Sequence, residues 1–159
     1  MVAVNYNTTE YGLKPLKQIN AKGVVFKKAI VRWFYDVSEA NAGDTCTLLH
    51  GMDKNTIIKS IKVTNAGLAA AADNDIVIAK AGKFAAIANS TLLADGKTFV
   101  SALTNAQVLG SGVSGFDFTK SLYDMTGYEE DMDIVVIVKT AGTTADDTLV
   151  FEIEYADNL

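Results

Sequence analysis

Beyond residue 23, apolar and polar residues alternate mostly with a period of two, the spacing of half-buried strands. A strand enters at residues 24–26 and continues over 29–36. There Ala29, Val31, Trp33 and Tyr35 share one face, and Ile30, Arg32 and Phe34 share the other. Both faces are largely apolar, which predicts a strand in the centre of a sheet or at an interface. Asn41-Ala42-Gly43-Asp44 reads as a turn into a strand over 45–50, with Cys46, Leu48 and His50 on one side. After a turn at 51–55, residues 56–65 alternate, Ile57, Ile61 and Val63 opposing Ser60 and Lys62, with Ile58 breaking the polar face. Residues 75–80 read as a strand through Ile76, Val77 and Ile78. Residues 83–109 fit short strands or one short helix with loops, and 110–132 a long connection turning at Gly112, Gly115 and Gly127. Residues 134–138 are a continuous β-branched and apolar run, the pattern of a buried strand. Residues 148–155 then turn Leu149, Phe151, Ile153 and Tyr155 inward and Glu152 and Glu154 outward, predicting a C-terminal hairpin with one wet face. Roughly seven or eight short strands, broken by turns about every 8–12 residues, predict an all-β antiparallel sandwich. No repeat in the range of roughly 20–50 residues points to a solenoid or propeller.

Composition agrees with a packed core. The chain has 159 residues, 49% of them hydrophobic, and its single proline, Pro15, leaves the turns to Gly, Asn and Asp. A domain of this size buries roughly 70% of its unfolded surface. Residues 1–23 have no sustained period and read as an N-terminal arm preceding one sandwich domain over 24–159. The arm carries Tyr6, Tyr11, Leu13, Leu16 and Ile19 among polar residues. Such side chains either pack on the domain's own surface or reach a partner.

Charge is divided unevenly. Residues 1–32 hold six basic residues against Glu10, a net of +5; the remaining 8 basic and 18 acidic residues give −10, and the sum is −5. The split narrows on inspection, because Lys27, Lys28 and Arg32 belong to the first strand. The arm itself has Lys14, Lys17 and Lys22 against Glu10, a net of +2. Binding to nucleic acid by counterion release draws on about six or more phosphate contacts, so no nucleic-acid partner is expected.

Catalytic and cofactor motifs fail on inspection. Cys46 is the only cysteine, which excludes an intrachain disulfide and a cysteine-based zinc site, and it reads as a small apolar strand residue. Gly110-Ser111-Gly112-Val113-Ser114-Gly115 matches a dinucleotide fingerprint, but Phe116-Asp117-Phe118-Thr119 follows where a helix would have to open. The motif therefore reads as a tightly turning loop. His50 is the only histidine, so a Ser-His-Asp triad would have to use it; it reads instead as a sheet residue near a strand end. Carboxylates cluster at Asp73/Asp75, at Glu129, Glu130, Asp131 and Asp133, and at Asp146/Asp147, without the EF-hand spacing. No catalytic residue, cofactor or metal is assigned. Neither an apolar leader region nor about 18 consecutive apolar residues is present, so no membrane partner is expected and synthesis is expected in a cytoplasm.

Several segments carry a family resemblance: NYNTTEYGLKPLKQINAKG, then GDTCTLLHGMDKNTIIKSIKVTNA, NDIVIAK and DMDIVVIVKTAGTTADDTLVFEIEYADNL. A short strand ends in Leu48-Leu49-His50, Lys54-Asn55-Thr56 turns, and an Ile/Val-alternating strand follows. The chain closes with an apolar strand, a Thr/Gly-rich turn and a strand ending near Glu154-Tyr155. In these features residues 24–159 resemble the jelly-roll decoration or cement proteins of tailed-bacteriophage capsids. The shared motifs are strand patterns. One departure lies at Ala79-Lys80-Ala81-Gly82, where many relatives carry a Gly-Asp step.

The resemblance implies a jelly-roll-like sandwich with no catalytic role and no cofactor, placed on the outer surface of an icosahedral virion. It implies a homotrimer that clamps neighbouring major capsid subunits. The capsid-contact candidates are then Tyr6, Tyr11, Leu13, Lys14, Leu16, Lys17, Ile19 and Lys22, and the oligomer-interface candidates are Trp33, Phe34 and Tyr35. Head-fibre base and tail-associated β-protein are alternatives of the same class. A carbohydrate-binding module is the alternative from another class, with Tyr123 and Tyr128 beside the acidic run as the residues to test.

Overall fold

The computed structural model describes residues 24–36, 41–67, 73–82, 91–98, 102–140 and 147–158. Two four-stranded antiparallel sheets pack face to face, confirming the all-β sandwich. The strands are β1 (Val24–Tyr35), β2 (Thr45–Met52), β3 (Ile57–Asn65), β4 (Asp73–Lys80), β5 (Thr91–Thr98), β6 (Leu103–Gln107), β7 (Met132–Thr140) and β8 (Asp147–Asn158), with a short helix α1 (Leu122–Thr126) between β6 and β7. The sheet orders are β1-β8-β3-β6 and β2-β7-β4-β5.

One rule generates both orders. β1 pairs with β8, β2 with β7, β3 with β6 and β4 with β5, all antiparallel. The first four strands are thus folded back on the last four as one long hairpin, and that hairpin is rolled into two sheets, joined by the pairs β3–β8 and β4–β7. This is a jelly roll, an architecture shared by viral capsid domains, lectins and cupins. Among the described residues no helix is long and apolar enough to cross a membrane.

Between the sheets lies one core cluster that includes Tyr35, Ile58, Ile61, Val63, Ile76, Ile78, Leu122, Ile134, Leu149, Phe151 and Ile153. Val77, Ala79 and Val135 form a second buried cluster, with Leu92 and Ile137 packed against it. β4 and β7 are therefore buried on both faces, as the continuous apolar run at 134–138 predicts.

Four expectations are corrected by the topology and the register. The C-terminal hairpin does not form, because β7 sits in one sheet and β8 in the other. β7 is flanked by β2 and β4, so no open side remains for β8. β1 is an edge strand, so of the two placements expected for it the central one falls. The face shared by Cys46, Leu48 and His50 breaks up: register shifts between Thr47 and Leu49 and between Leu49 and Met52 leave Leu48, Leu49 and Met52 buried and His50 exposed. A shift between Ile58 and Ser60 acts similarly in β3 and places Ile58 with Ile61 and Val63 in the core, while Ile57 is only half-buried. An extra residue in one strand reverses the facing of everything beyond it.

Residues 91–98 and 103–107 are strands, so among the described residues the ambiguous 83–109 region contains no helix. The turns at Gly112, Gly115 and Gly127 are present, each with a positive φ. The expected arm, 1–23, and the stretch Ala69–Ala72 lie outside the described residues.

Candidate functional site

β1 shows how alternation divides the aromatic run. Its inner face packs Ala29, Val31 and Trp33 against the core, and Tyr35, 1% exposed, belongs to the core itself. Trp33 and Tyr35 meet edge to face at 5.3 Å between ring centroids. Tyr35 is therefore removed from the surface patch expected of Trp33, Phe34 and Tyr35: period-two facing sends every second residue inward. Phe34 points outward and is 60% exposed, and Ile30, on the same face, is 53% exposed. Arg32 stands between them, also exposed. Across the pair with β8, this face continues through Glu152, opposite Ile30, and Glu154, opposite Lys28. Lys28 bonds Glu152 at 2.9 Å, and that bond and charge hold its ammonium above the usual lysine range. Beside β1, Trp33, Phe34, Tyr35 and Asp36 face Gly43, Asp44 and Thr45 across an open groove of about 510 Å³.

A second exposed surface sits at α1. The helix is short, but its ends are built. Ser121 Oγ accepts from Asp124 N at 3.1 Å, and Asp124 Oδ2 accepts from Ser121 N at 3.1 Å, a reciprocal capping box. Bonding to Ser121 lowers the Asp124 carboxyl below the usual carboxylate range. Gly127 closes the helix at φ 75°, its N–H donating to Tyr123 O. Leu122, fully buried, anchors the helix, and Leu122 N and Tyr123 N donate to Thr56 O and Lys54 O of the β2–β3 turn. This arrangement leaves Tyr123 40% and Phe118 46% exposed. Phe118 itself stacks edge to face on Phe116 at 4.9 Å.

The tyrosines considered as a sugar platform each carry a cation. Lys54 Nζ lies 5.6 Å from the Tyr123 ring centroid and pairs with Glu129; Lys80 Nζ lies 4.7 Å from that of Tyr128 and bonds Glu130 at 3.1 Å. The acidic run is thus dispersed: Glu129 and Glu130 meet lysines, while Asp133 is buried. Among the described residues no three His, Cys, Asp or Glu side chains converge as metal ligands.

Buried carboxylates instead fasten the fold. Asp133 Oδ1 accepts from Gly51 N and bonds His50 Nδ1, both at 2.9 Å, and its Oδ2 accepts from Gly82 N at 3.0 Å. His50 is thereby held at the strand end with its ring in solvent. Asp147 accepts from Gly67 N at 2.8 Å, from Ala66 N at 3.3 Å and from Asn65 Nδ2 at 3.2 Å. Asp75 accepts from Gly96 N at 2.9 Å and from Lys139 Nζ at 2.7 Å.

The glycine-rich loop is structural as well. Gly110 N donates to Leu93 O and Asp95 N to Ser111 O, which ties the loop to β5. A Cβ on Gly112 would stand 2.5 Å from Asp95 O, so this position needs glycine both for its space and for its φ of 75°.

No protein-family model matches the chain, and no curated protein matches it. The structure is similar to a chain of the cyanophage Pam1 capsid asymmetric unit, at 14% identity and a TM-score of 0.43, over 94% of this chain and 96% of that one.

The capsid-contact candidates Tyr6, Tyr11, Leu13, Lys14, Leu16, Lys17, Ile19 and Lys22 all lie outside the described residues. Sequence reasoning missed Ile30 and Phe118 as surface apolar residues. Ile30 shares the outward parity of Phe34 and was legible once one face of β1 was assigned to the core. Phe118 lies in a connection without periodicity, where no local signal marks exposure.

Proposed function

We propose that this protein is a virion structural protein that decorates an icosahedral phage capsid, binding across neighbouring major capsid subunits from the outside, as a homotrimer and with no catalytic role. The observation that carries this reading is the jelly-roll pairing of the first four strands with the last four, an architecture that viral capsid domains use. The resemblance of residues 24–159 to capsid decoration proteins narrows that broad class. The outward Ile30 and Phe34 on an edge strand further support a protein that works through surface contacts. In this reading residues 1–23 strap the shell through Tyr6, Tyr11, Leu13, Leu16 and Ile19, with Lys14, Lys17 and Lys22 meeting acidic groups. Three arms on one trimer act multivalently, so weak single-arm contacts gain avidity.

Cosedimentation of the purified chain with shells assembled from the major capsid protein tests this. The full chain pellets with shells, and deletion of residues 1–23 weakens binding at least about tenfold while leaving the melting temperature nearly unchanged. A full chain that ignores bare shells overturns the proposal. Unchanged binding after the deletion moves docking to the body, and glycan binding abolished by chelation favours a carbohydrate-binding module instead.

A further inference from the structure

β1 differs from the other strands at the sheet edges. β2, β5 and β6 are edge strands too. Each of them pairs with its neighbour through one or two register shifts, and β6 is only five residues long. Short or bulged edges are the ordinary defence against an added strand. β1 keeps one register with β8 over all twelve of its residues. Nothing in that pairing blunts its other edge, along which no described strand lies.

At its C-terminal end this edge opens onto the groove between β1 and the start of β2. Asp36 and Asp44 are the only charged residues that line the groove, and Arg32 is not among its lining. Asp44 is exposed, and among the described residues its carboxylate is engaged only through Oδ2, which accepts from Asn41 N at 2.8 Å. Phe34, 60% exposed, adds an open aromatic ring. An aromatic ring beside two carboxylates suits a cationic side chain, and an undefended strand edge suits an extended backbone.

The chain carries a segment of that chemistry, Leu13-Lys14-Pro15-Leu16-Lys17, within residues 1–23 of net charge +2. A residue before proline favours extended backbone, which fits Lys14 to a strand edge. The segment does not reach the groove of its own molecule. Val24 and Tyr35 stand at opposite ends of β1, roughly 36 Å apart. Lys17 lies seven residues before Val24, a span of at most about 25 Å. Lys14, ten residues before Val24, would use its whole reach of about 36 Å and keep nothing for the reversal of direction. We infer that residues 13–17 of one copy dock in the β1–β2 groove of the next, with Lys14 and Lys17 meeting Asp36 and Asp44 and the backbone lying along the open edge of β1. Such a contact joins two different surfaces, and heterologous contacts close into rings when the rotation allows. This rests on the reading of the protein as a self-associating structural protein; it gives two of the arm's lysines to a neighbouring copy and leaves Tyr6 and Tyr11 for the shell.

Trp33, the only tryptophan, lines the groove and reports on its occupancy. The test uses the full chain with Lys14→Glu and Lys17→Glu, which removes the docking charge, and titrates it with a synthetic peptide of residues 13–22. Far-UV circular dichroism confirms that each variant folds. The peptide shifts Trp33 emission to saturation. Adding Asp36→Asn and Asp44→Asn weakens its binding roughly fivefold, the effect of two exposed ion pairs. In sedimentation velocity the wild type runs as an oligomer and the lysine variant as a smaller species. Trp33 emission that ignores the peptide overturns the docking. A lysine variant with altered emission but wild-type sedimentation assigns the groove to the molecule's own arm and overturns exchange between copies. An emission change that requires shells and not the peptide gives the groove to the capsid protein and overturns the inference as well. Peptide binding by a chain that ignores bare shells upholds this contact and strikes the capsid reading alone.

Discussion

Single residues in this protein owe their roles to the face on which they fall. Phe34 and Tyr35 are neighbours of similar size and chemistry, yet one is 60% exposed and the other 1%. Asp133, one of the acidic run with Glu129, Glu130 and Asp131, is fully buried, and two backbone N–H groups and the His50 ring converge on it. Cys46 is a half-buried residue packed against the core, and burial pushes its thiol up to about 11 from 9.0. The native state therefore holds the proton more tightly than the unfolded chain does. The stability this contributes is complete below pH 9 and is lost as pH rises through about 11. Reaction of the native protein with a thiol reagent is expected to be slow at pH 8, rising only toward pH 11, whereas the chain in urea reacts quickly at pH 9. A native thiol titrating near 9 would contradict this.

At the scale of elements, α1 shows what a pattern reading overlooks. Five residues are too few to display a helical period, and an isolated helix of that length does not form. Tertiary anchoring through Leu122 and the bonds to the β2–β3 turn makes it stable. Its one sequence signal is Ser121 three residues before Asp124, the spacing of a capping box. Replacing Ser121 with Ala is expected to cost about 1 kcal/mol, a typical capping loss, read as a lower urea midpoint at unchanged m-value. A midpoint equal to that of the wild type would mean that the turn contacts alone hold the helix. The strands β2 and β3 teach the complementary lesson. Their apolar residues were identified from the sequence, but bulges at Leu48–Leu49 and near Ser60 changed which of them face the core.

For the whole molecule, the folded-back pairing sets the folding problem. β1 finds β8 across more than a hundred residues of intervening chain, so loop-closure entropy must be overcome before those contacts stabilise anything. Refolding is expected in the millisecond-to-second range typical of sandwiches dominated by non-local pairing. Stopped-flow fluorescence of the single tryptophan, Trp33, on β1, follows the docking of that strand. Microsecond recovery of the Trp33 signal would show instead that β1 packs before its long-range partner arrives.

The sequence by itself determined the class of the fold, most strand positions, the doubly buried β7 and the absence of a cysteine-based site, since each follows from which residue types occur and at what local spacing. Facing and period are short-range properties, written into every second side chain. Strand partners are not, because several apolar strands of similar length compete for the same neighbours, and only the packing of all of them selects one order. The tertiary structure therefore decided that β8 joins β1 and β3 and not β7. It decided which bulged residues turn inward, and that Ile30 and Phe34 of β1 and Phe118 and Tyr123 near α1 are left exposed.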